Sequence, residues 1–195
     1  MYLKELASTL AIILTLIAFL PYLRGILGNT IKPHFFTWVI WGITTTVVFF
    51  AQLQDKGGVG AWPVGVSGCL TISIAVLAFI KRADISIRLL DWVFLIAALS
   101  SLPVWFFTTD PMLAVVILTI VDVLGFGPTA IKVWHAPWTE SPVFYFLYVI
   151  SNLLVLVALE NYSVTTALFP AAIALGCLSM MLLVWGRSRV LPEPV

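Results

Sequence analysis

One carboxylate in this chain lies far from water. Asp122 stands near the middle of an apolar run covering residues 111–133. A carboxylate at the centre of a bilayer costs about 2.5–3.5 kcal/mol even on insertion-based scales, so it faces a cavity or a polar partner. Two roles fit it. It can couple protons or bind a polar group of a substrate, or it can hydrogen-bond a Ser or Thr of a neighbouring helix and hold a bundle together. Thr129 lies two turns further on, on the same helical face. An earlier run carries Ser8, Thr15 and Tyr22 at spacings of seven, a second polar stripe on one helical face.

Aromatic residues form a second pattern. Trp38, Trp41 and Thr45 are spaced i, i+3, i+7, and so are Tyr145, Tyr148 and Asn152. Each set puts two large rings and one hydrogen-bonding group on one face of a helix. Aromatic walls with a few placed polar groups suit a small-molecule site; the alternative is a packing or lipid-facing stripe.

The elements that must carry these residues are membrane helices. The chain has 195 residues, 62% of them hydrophobic and 10% charged, where a soluble domain carries about 25% charged residues. A membrane helix needs about 20 predominantly apolar residues. Seven runs qualify: 6–27, 34–54, 61–81, 88–108, 111–133, 142–160 and 163–186. The connections are short and leave nothing for a soluble domain. Lys4 precedes the first run, but no A-x-A cleavage pattern follows it, so it is read as a helix rather than a signal peptide. Lys4 and Lys56 fall on one side of the membrane. Arg24, Lys32, Lys81, Arg82, Arg88, Lys132, Arg187 and Arg189 fall on the other, which predicts an N-terminus outside and a C-terminus in the cytoplasm; the expected setting is a prokaryotic cytoplasmic membrane.

The chain also repeats itself. An offset of 107 residues lays Ile13 on Ile120, Phe19 on Phe126, Pro21 on Pro128, Val48 on Val155 and Pro63 on Pro170. One residue more lays Gly68-Cys69-Leu70 on Gly176-Cys177-Leu178. The same offset carries Thr15 onto Asp122, Tyr22 onto Thr129, and Trp38, Trp41 and Thr45 onto Tyr145, Tyr148 and Asn152. The expected architecture is all-α: two parallel three-helix repeats, residues 6–81 and 111–186, joined by a linker helix at 88–108. Parallel repeats related by an axis along the membrane normal occur among transporters, with binding near the midplane.

This three-plus-one-plus-three plan resembles the SWEET and PQ-loop superfamily, whose cytoplasmic helix ends carry a Pro-Gln pair in each half. Here Pro21-Tyr22 and Pro128-Thr129 stand at those places: the prolines match and the glutamines do not. In SWEET relatives a Trp and an Asn from each half contact a sugar, the Asn coming from the third helix of each repeat. The third helices of this chain offer Ser67, Thr71, Cys177 and Ser179 instead.

The resulting expectation is a small-molecule secondary transporter or facilitator. Its substrate would be held by Trp38, Trp41, Thr45, Asp122, Tyr145, Tyr148, Asn152 and Thr15, with Pro21, Tyr22, Pro128 and Thr129 as gate or hinge. The competing class is a non-transporting receptor or sorting protein on the same plan. No cofactor or metal is expected: His34 and His135 fall in expected loops, and Cys69 and Cys177 lie in apolar runs, read as small packing residues beside Gly68 and Gly176. The last run has no lysine for a retinal Schiff base, and Asp122 has no catalytic partner in sequence, so enzyme and rhodopsin readings are set aside. A net charge of +1 offers nothing to nucleic acid. The apolar exterior faces lipid and permits a homo-oligomer. Gly57-Gly58-Val59-Gly60 reads as a flexible outer loop, and Glu160 as a solvated span end.

Overall fold

A computed structural model describes residues 2–29, 35–81 and 89–191; the side chains of Leu90, Asp91, Pro128, Lys132 and Thr139 lie outside the described set. Among the described residues there is no strand. Seven α-helices follow one another: α1 (Tyr2–Leu27), α2 (Phe35–Gln54), α3 (Trp62–Ile80), α4 (Leu89–Thr108), α5 (Pro111–His135), α6 (Pro142–Ala158) and α7 (Val164–Val190). Short 3-10 turns at Gly58–Ala61 and Pro137–Thr139 precede α3 and α6.

The helix ends follow from local chemistry. Ser141 and Ser163 cap α6 and α7 through their hydroxyls, and Ser163 with Thr166 forms a capping box. Asp110 accepts a hydrogen bond from the Met112 amide at 2.8 Å just ahead of Pro111, which begins α5. Asn29, Lys56 and Thr109 reverse the chain with positive φ angles of 58°, 56° and 56°. Five helical segments are long and apolar enough to cross a membrane: Tyr2–Leu27, Phe35–Gln54, Gly58–Ile80, Pro111–His135 and Val164–Val190. The apolar stretches Trp92–Thr108 and Pro142–Ala158 are shorter. The seventh helix runs four residues beyond the expected end at 186, as far as Val190, and α5 extends to His135, which is helical rather than in a loop. His34, Pro33, Lys32, Arg82 and Arg88 lie outside the described residues.

The bundle is arranged as lipid demands. On α1 the buried face carries Ala7, Ser8, Ala11, Thr15 and Ala18, while Leu10, Ile13, Leu16, Ile17 and Leu20 face outward. Large apolar side chains cover the exterior, and small or hydroxylated ones let helices approach and hydrogen-bond. This pattern, with the five long apolar helices, makes the chain a membrane-embedded helical protein. α3 packs against both α1 and α2, and α7 packs in the same way against both α5 and α6. The two groups meet where α1 lies on α6 and α2 on α5, and α4 rests on α5 and α2. Gly42 and Gly65 allow α2 and α3 to close: a Cβ at Gly42 would lie 2.9 Å from Ile72, and one at Gly65 would lie 2.8 Å from the Phe49 ring.

The end of the bundle that carries the N-terminus is bonded shut. Gln52 donates to the Thr166 carbonyl at 2.7 Å and Asn161 to the Asp55 carbonyl at 2.9 Å. Ser163 donates to the Asp55 carboxylate. Lys4 reaches the Leu159 carbonyl at 2.7 Å, and Ser8 the Val59 carbonyl at 2.6 Å. The Gly57–Gly60 segment is therefore no flexible loop: it is a packed turn, and the Glu160 amide donates to the Gly57 carbonyl at 3.1 Å. The Glu160 carboxylate, expected to be merely solvated, folds over Gly58 and accepts from the Val59 amide at 3.4 Å. A Cβ at Gly60 would stand 2.6 Å from the Leu159 amide nitrogen, a backbone atom that cannot swing away. Gly60→Ala is thus expected to lower the melting temperature of the detergent-purified protein by several degrees, the order of a 1–3 kcal/mol overpacking cost, whereas Gly186→Ala, in open space, leaves it unchanged. Equal melting curves for the two variants would show that this end is not tightly packed.

Candidate functional site

Asp122 is 5% exposed on the face of α5 that meets α2. The Thr44 hydroxyl of α2 lies beside it. That hydroxyl donates to the Trp41 carbonyl at 3.0 Å, one turn back on its own helix. A hydroxyl has one proton to give, and the Trp41 carbonyl takes this one. The carboxyl oxygen Oδ1 is buried and has no hydrogen-bond partner among the described residues. Such groups are rare in folded proteins, where a buried polar atom without a partner costs about 1–3 kcal/mol.

Trp41 closes over this seam. Its indole nitrogen sits 3.0 Å from where a Cβ would stand at Gly125, one turn beyond Asp122. Only a residue without a side chain lets the ring lie that near α5. From Trp41 an aromatic chain crosses the bundle. Trp41 meets Trp38 edge-on at 5.5 Å, Trp38 meets Phe19 of α1 at 6.2 Å, and Phe19 meets Tyr148 of α6 at 5.8 Å. Phe144 stacks on Tyr148 at 5.5 Å with the rings 13° from parallel. Tyr22 leans on Trp38 at 5.1 Å. Tyr148 then reaches across to α3, where its hydroxyl and that of Ser67 are 2.5 Å apart. Phe144 and Tyr148 border both apolar cores of the molecule, so this layer joins the two helix groups.

The expected site residues divide accordingly. Trp38, Trp41, Tyr148 and Tyr22 belong to the connected aromatic layer, and Asp122 adjoins it through Thr44 and Gly125. Tyr145 meets Phe144 of the layer edge-on at 5.4 Å, and its hydroxyl donates to the Glu140 carboxylate at 3.1 Å. Thr45 packs its methyl group against Gly68. Asn152 donates to the Tyr148 carbonyl at 2.8 Å, within its own helix. Pro21 lies inside α1 and removes an amide donor from it; Thr129 is partly buried on α5, and the Pro128 side chain lies outside the described residues. Cys177 is buried as expected, but Cys69 is exposed rather than packed. Phe19, Phe144, Thr44 and Ser67 were not among the expected contacts. Phe19 left one trace in the sequence, its match with Phe126.

Thr15, expected to line the same central site as Asp122, pairs across the α1–α6 seam. Its hydroxyl is 2.9 Å from that of Ser151 on α6, which donates to the Ala11 carbonyl at 3.0 Å. The two seams correspond residue by residue: the 107-residue offset that carries Thr15 onto Asp122 also carries Thr44 onto Ser151. One seam closes on two neutral hydroxyls. The other replaces a hydroxyl by a carboxyl group and leaves an oxygen over.

The chain matches no family model, no curated protein and no solved structure. Among the described residues no group of three or more His, Cys, Asp and Glu is placed to hold a metal ion.

The Thr15–Ser151 pair is a purely structural bond by this geometry. In a double-mutant cycle Thr15→Val and Ser151→Ala are expected to couple by about 0.6–1.7 kcal/mol in unfolding, the range for hydrogen bonds between membrane helices. A coupling near zero would place the two hydroxyls apart. For the aromatic layer, Gly125→Ala is expected to displace the Trp41 ring by a few tenths of an ångström and shift the tryptophan emission. The Trp41→Phe background should abolish the shift, and a shift that survives there would refute the contact.

Proposed function

We propose that this protein is a small secondary transporter or facilitator, with its substrate bound between two parallel three-helix repeats and coupled to protons through Asp122. The observation that carries the reading is the mismatch between the two corresponding seams. Thr15–Ser151 is closed; Asp122–Thr44 carries an ionisable group with a free oxygen. A bundle needing only glue on α5 would be served by a second hydroxyl at lower cost. In this reading the repeats are residues 6–81 and 111–186, the helix between them is a linker, and all seven helices span the bilayer. The like packing of α3 and α7 between their partners supports it. So does the plan's similarity to the SWEET and PQ-loop proteins.

The mechanism follows from alternating access. The N-terminal side, outside by the distribution of lysine and arginine, is sealed by the bonds around Asp55, Ser163 and Glu160. The aromatic layer of Phe19, Trp38, Phe144 and Tyr148 lies toward the opposite, cytoplasmic ends of α1, α2 and α6. Asp122 lies between. Rocking of one repeat against the other would open either barrier while the other holds, with Pro21 and Pro128 as hinges. The setting is a prokaryotic cytoplasmic membrane, with a homo-oligomer permitted by the apolar exterior.

The test uses proteoliposomes loaded against a panel of metabolites, chosen by ligand-dependent thermal stabilisation. Wild-type protein is expected to take up a stabilising solute at a rate that depends on an imposed pH gradient. Asp122→Asn should insert and fold, keep the wild-type elution profile, and lose the pH-driven component by at least tenfold. Unchanged uptake with unchanged pH dependence would remove Asp122 from coupling. Stabilisation by a solute that never crosses would favour the receptor reading.

A further inference from the structure

The charge around Asp122 is more lopsided than its burial alone implies. The helices α2, α3 and α6 contain no charged residue. Those of α1 and α7 stand at their ends: Lys4, Glu5 and Arg24 on α1, Arg187 and Arg189 on α7. Near the carboxyl stand the Thr44 hydroxyl of α2 and the Tyr148 phenol of α6, and the Cys177 thiol of α7 lies near that phenol. On α4 no titratable residue follows Asp91 before the helix ends at Thr108. Among the described residues no lysine or arginine pairs with Asp122, so no described side chain balances its charge. Two things can do that: a proton, or a cation that enters the bundle.

The surroundings select the kind of cation. An inorganic ion exchanges its water for several oxygen ligands. Here one hydroxyl is at hand, its proton already shared with the Trp41 carbonyl. What the site offers in quantity is aromatic surface. Trp41 lies against Gly125 one turn away, and its indole N–H makes no hydrogen bond among the described residues. Trp38, Phe19 and Tyr148 continue the wall. Trp41 turns the N–H edge of its ring toward α5, and the ring faces of the layer lie beyond it; a carboxyl oxygen bordered by such a layer suits an organic ammonium ion, whose positive charge a carboxylate and a ring face both attract.

We propose that Asp122 Oδ1 is a shared landing point for a proton and a small organic ammonium ion, each displacing the other. This rests on the transport reading above and names its substrate class. A carboxylate holding either one proton or one monocation exchanges them one for one, so a cation moves across the membrane against a proton with no net charge transferred. The Thr44 proton assists the exchange. It turns to the carboxylate when Asp122 is ionised and returns to the Trp41 carbonyl when Asp122 carries its own proton.

The test pairs binding with transport, using choline and benzyltrimethylammonium as probes and 3,3-dimethylbutan-1-ol as the uncharged counterpart of choline. With purified protein in weak buffer, each ammonium ion bound is expected to release close to one proton at low pH, and its apparent affinity to fall tenfold per pH unit toward acid. The neutral alcohol should neither bind nor release protons. Asp122→Asn should abolish proton release, and Trp41→Phe should weaken the ammonium ion about tenfold while leaving protons released per cation unchanged. Binding that is independent of pH, or intact in Asp122→Asn, overturns the proposal; so does the absence of binding by either cation to protein that remains folded. Uptake of a neutral solute alongside no cation binding would sink the substrate class and leave the transport reading standing. Cation binding with proton release but no passage in proteoliposomes would do the reverse.

Discussion

A single buried carboxyl oxygen without a partner sets the terms for the rest of this bundle. In lipid there is no water to repair an unmatched polar group. The other interior polar side chains follow that rule closely. Ser8, Thr15, Gln52, Ser67, Thr71, Ser151 and Asn152 each reach a carbonyl or a hydroxyl. Against that background the fully enclosed Oδ1 of Asp122 stands apart. Gln52 has a comparable unmatched oxygen, but its amide nitrogen is bonded to the Thr166 carbonyl, and an amide carries no charge. Among the described residues, only at Asp122 does the missing partner coincide with an ionisable group.

The two ends of the molecule are held by different forces. The N-terminal end uses hydrogen bonds, many of them from side chain to backbone, between the loop after α2 and the loop after α6. The other half uses ring contacts around Phe19, with Tyr148–Ser67 as a polar bond inside it. Hydrogen bonds are directional and break over a small displacement, while aromatic contacts slide with smaller loss. A bundle that opens alternately at its two ends would use both properties: a discrete latch on one side and a compliant plug on the other.

Much of this was legible in the sequence, for physical reasons. Helix positions followed from runs of apolar residues, since lipid admits only helices or closed barrels. Asp122 was legible because an acid in the middle of an apolar run is costly. Its bonding partners were not. The spacing that put Tyr145 and Tyr148 on one helical face could not foresee that Glu140 would draw the first hydroxyl away while Ser67 drew the second. Nor could periodicity reveal Phe19 as the hub of the aromatic layer, because a phenylalanine in an apolar run looks the same whether it meets lipid or other rings. The Gly57–Gly60 turn was misjudged for a related reason. Glycines permit flexibility, but here they permit contact, with Leu159 and Glu160 occupying the space their side chains would need.

The offset of 107 residues carries weight beyond its matched letters. Chance can align prolines and leucines in apolar helices, but it has little reason to align contacts. The pairs Thr15–Ser151 and Thr44–Asp122 exchange under the offset, each linking the first helix of one group to the second helix of the other. A contact map that respects a sequence offset is what duplication of a three-helix unit would leave behind. The two seams differ in one respect. At one of them two hydroxyls satisfy each other and nothing more is needed. At the other a hydroxyl position is held by a carboxyl group, with Gly125 opening the space in which Trp41 lies over it. The difference between the two seams is therefore one of side-chain chemistry.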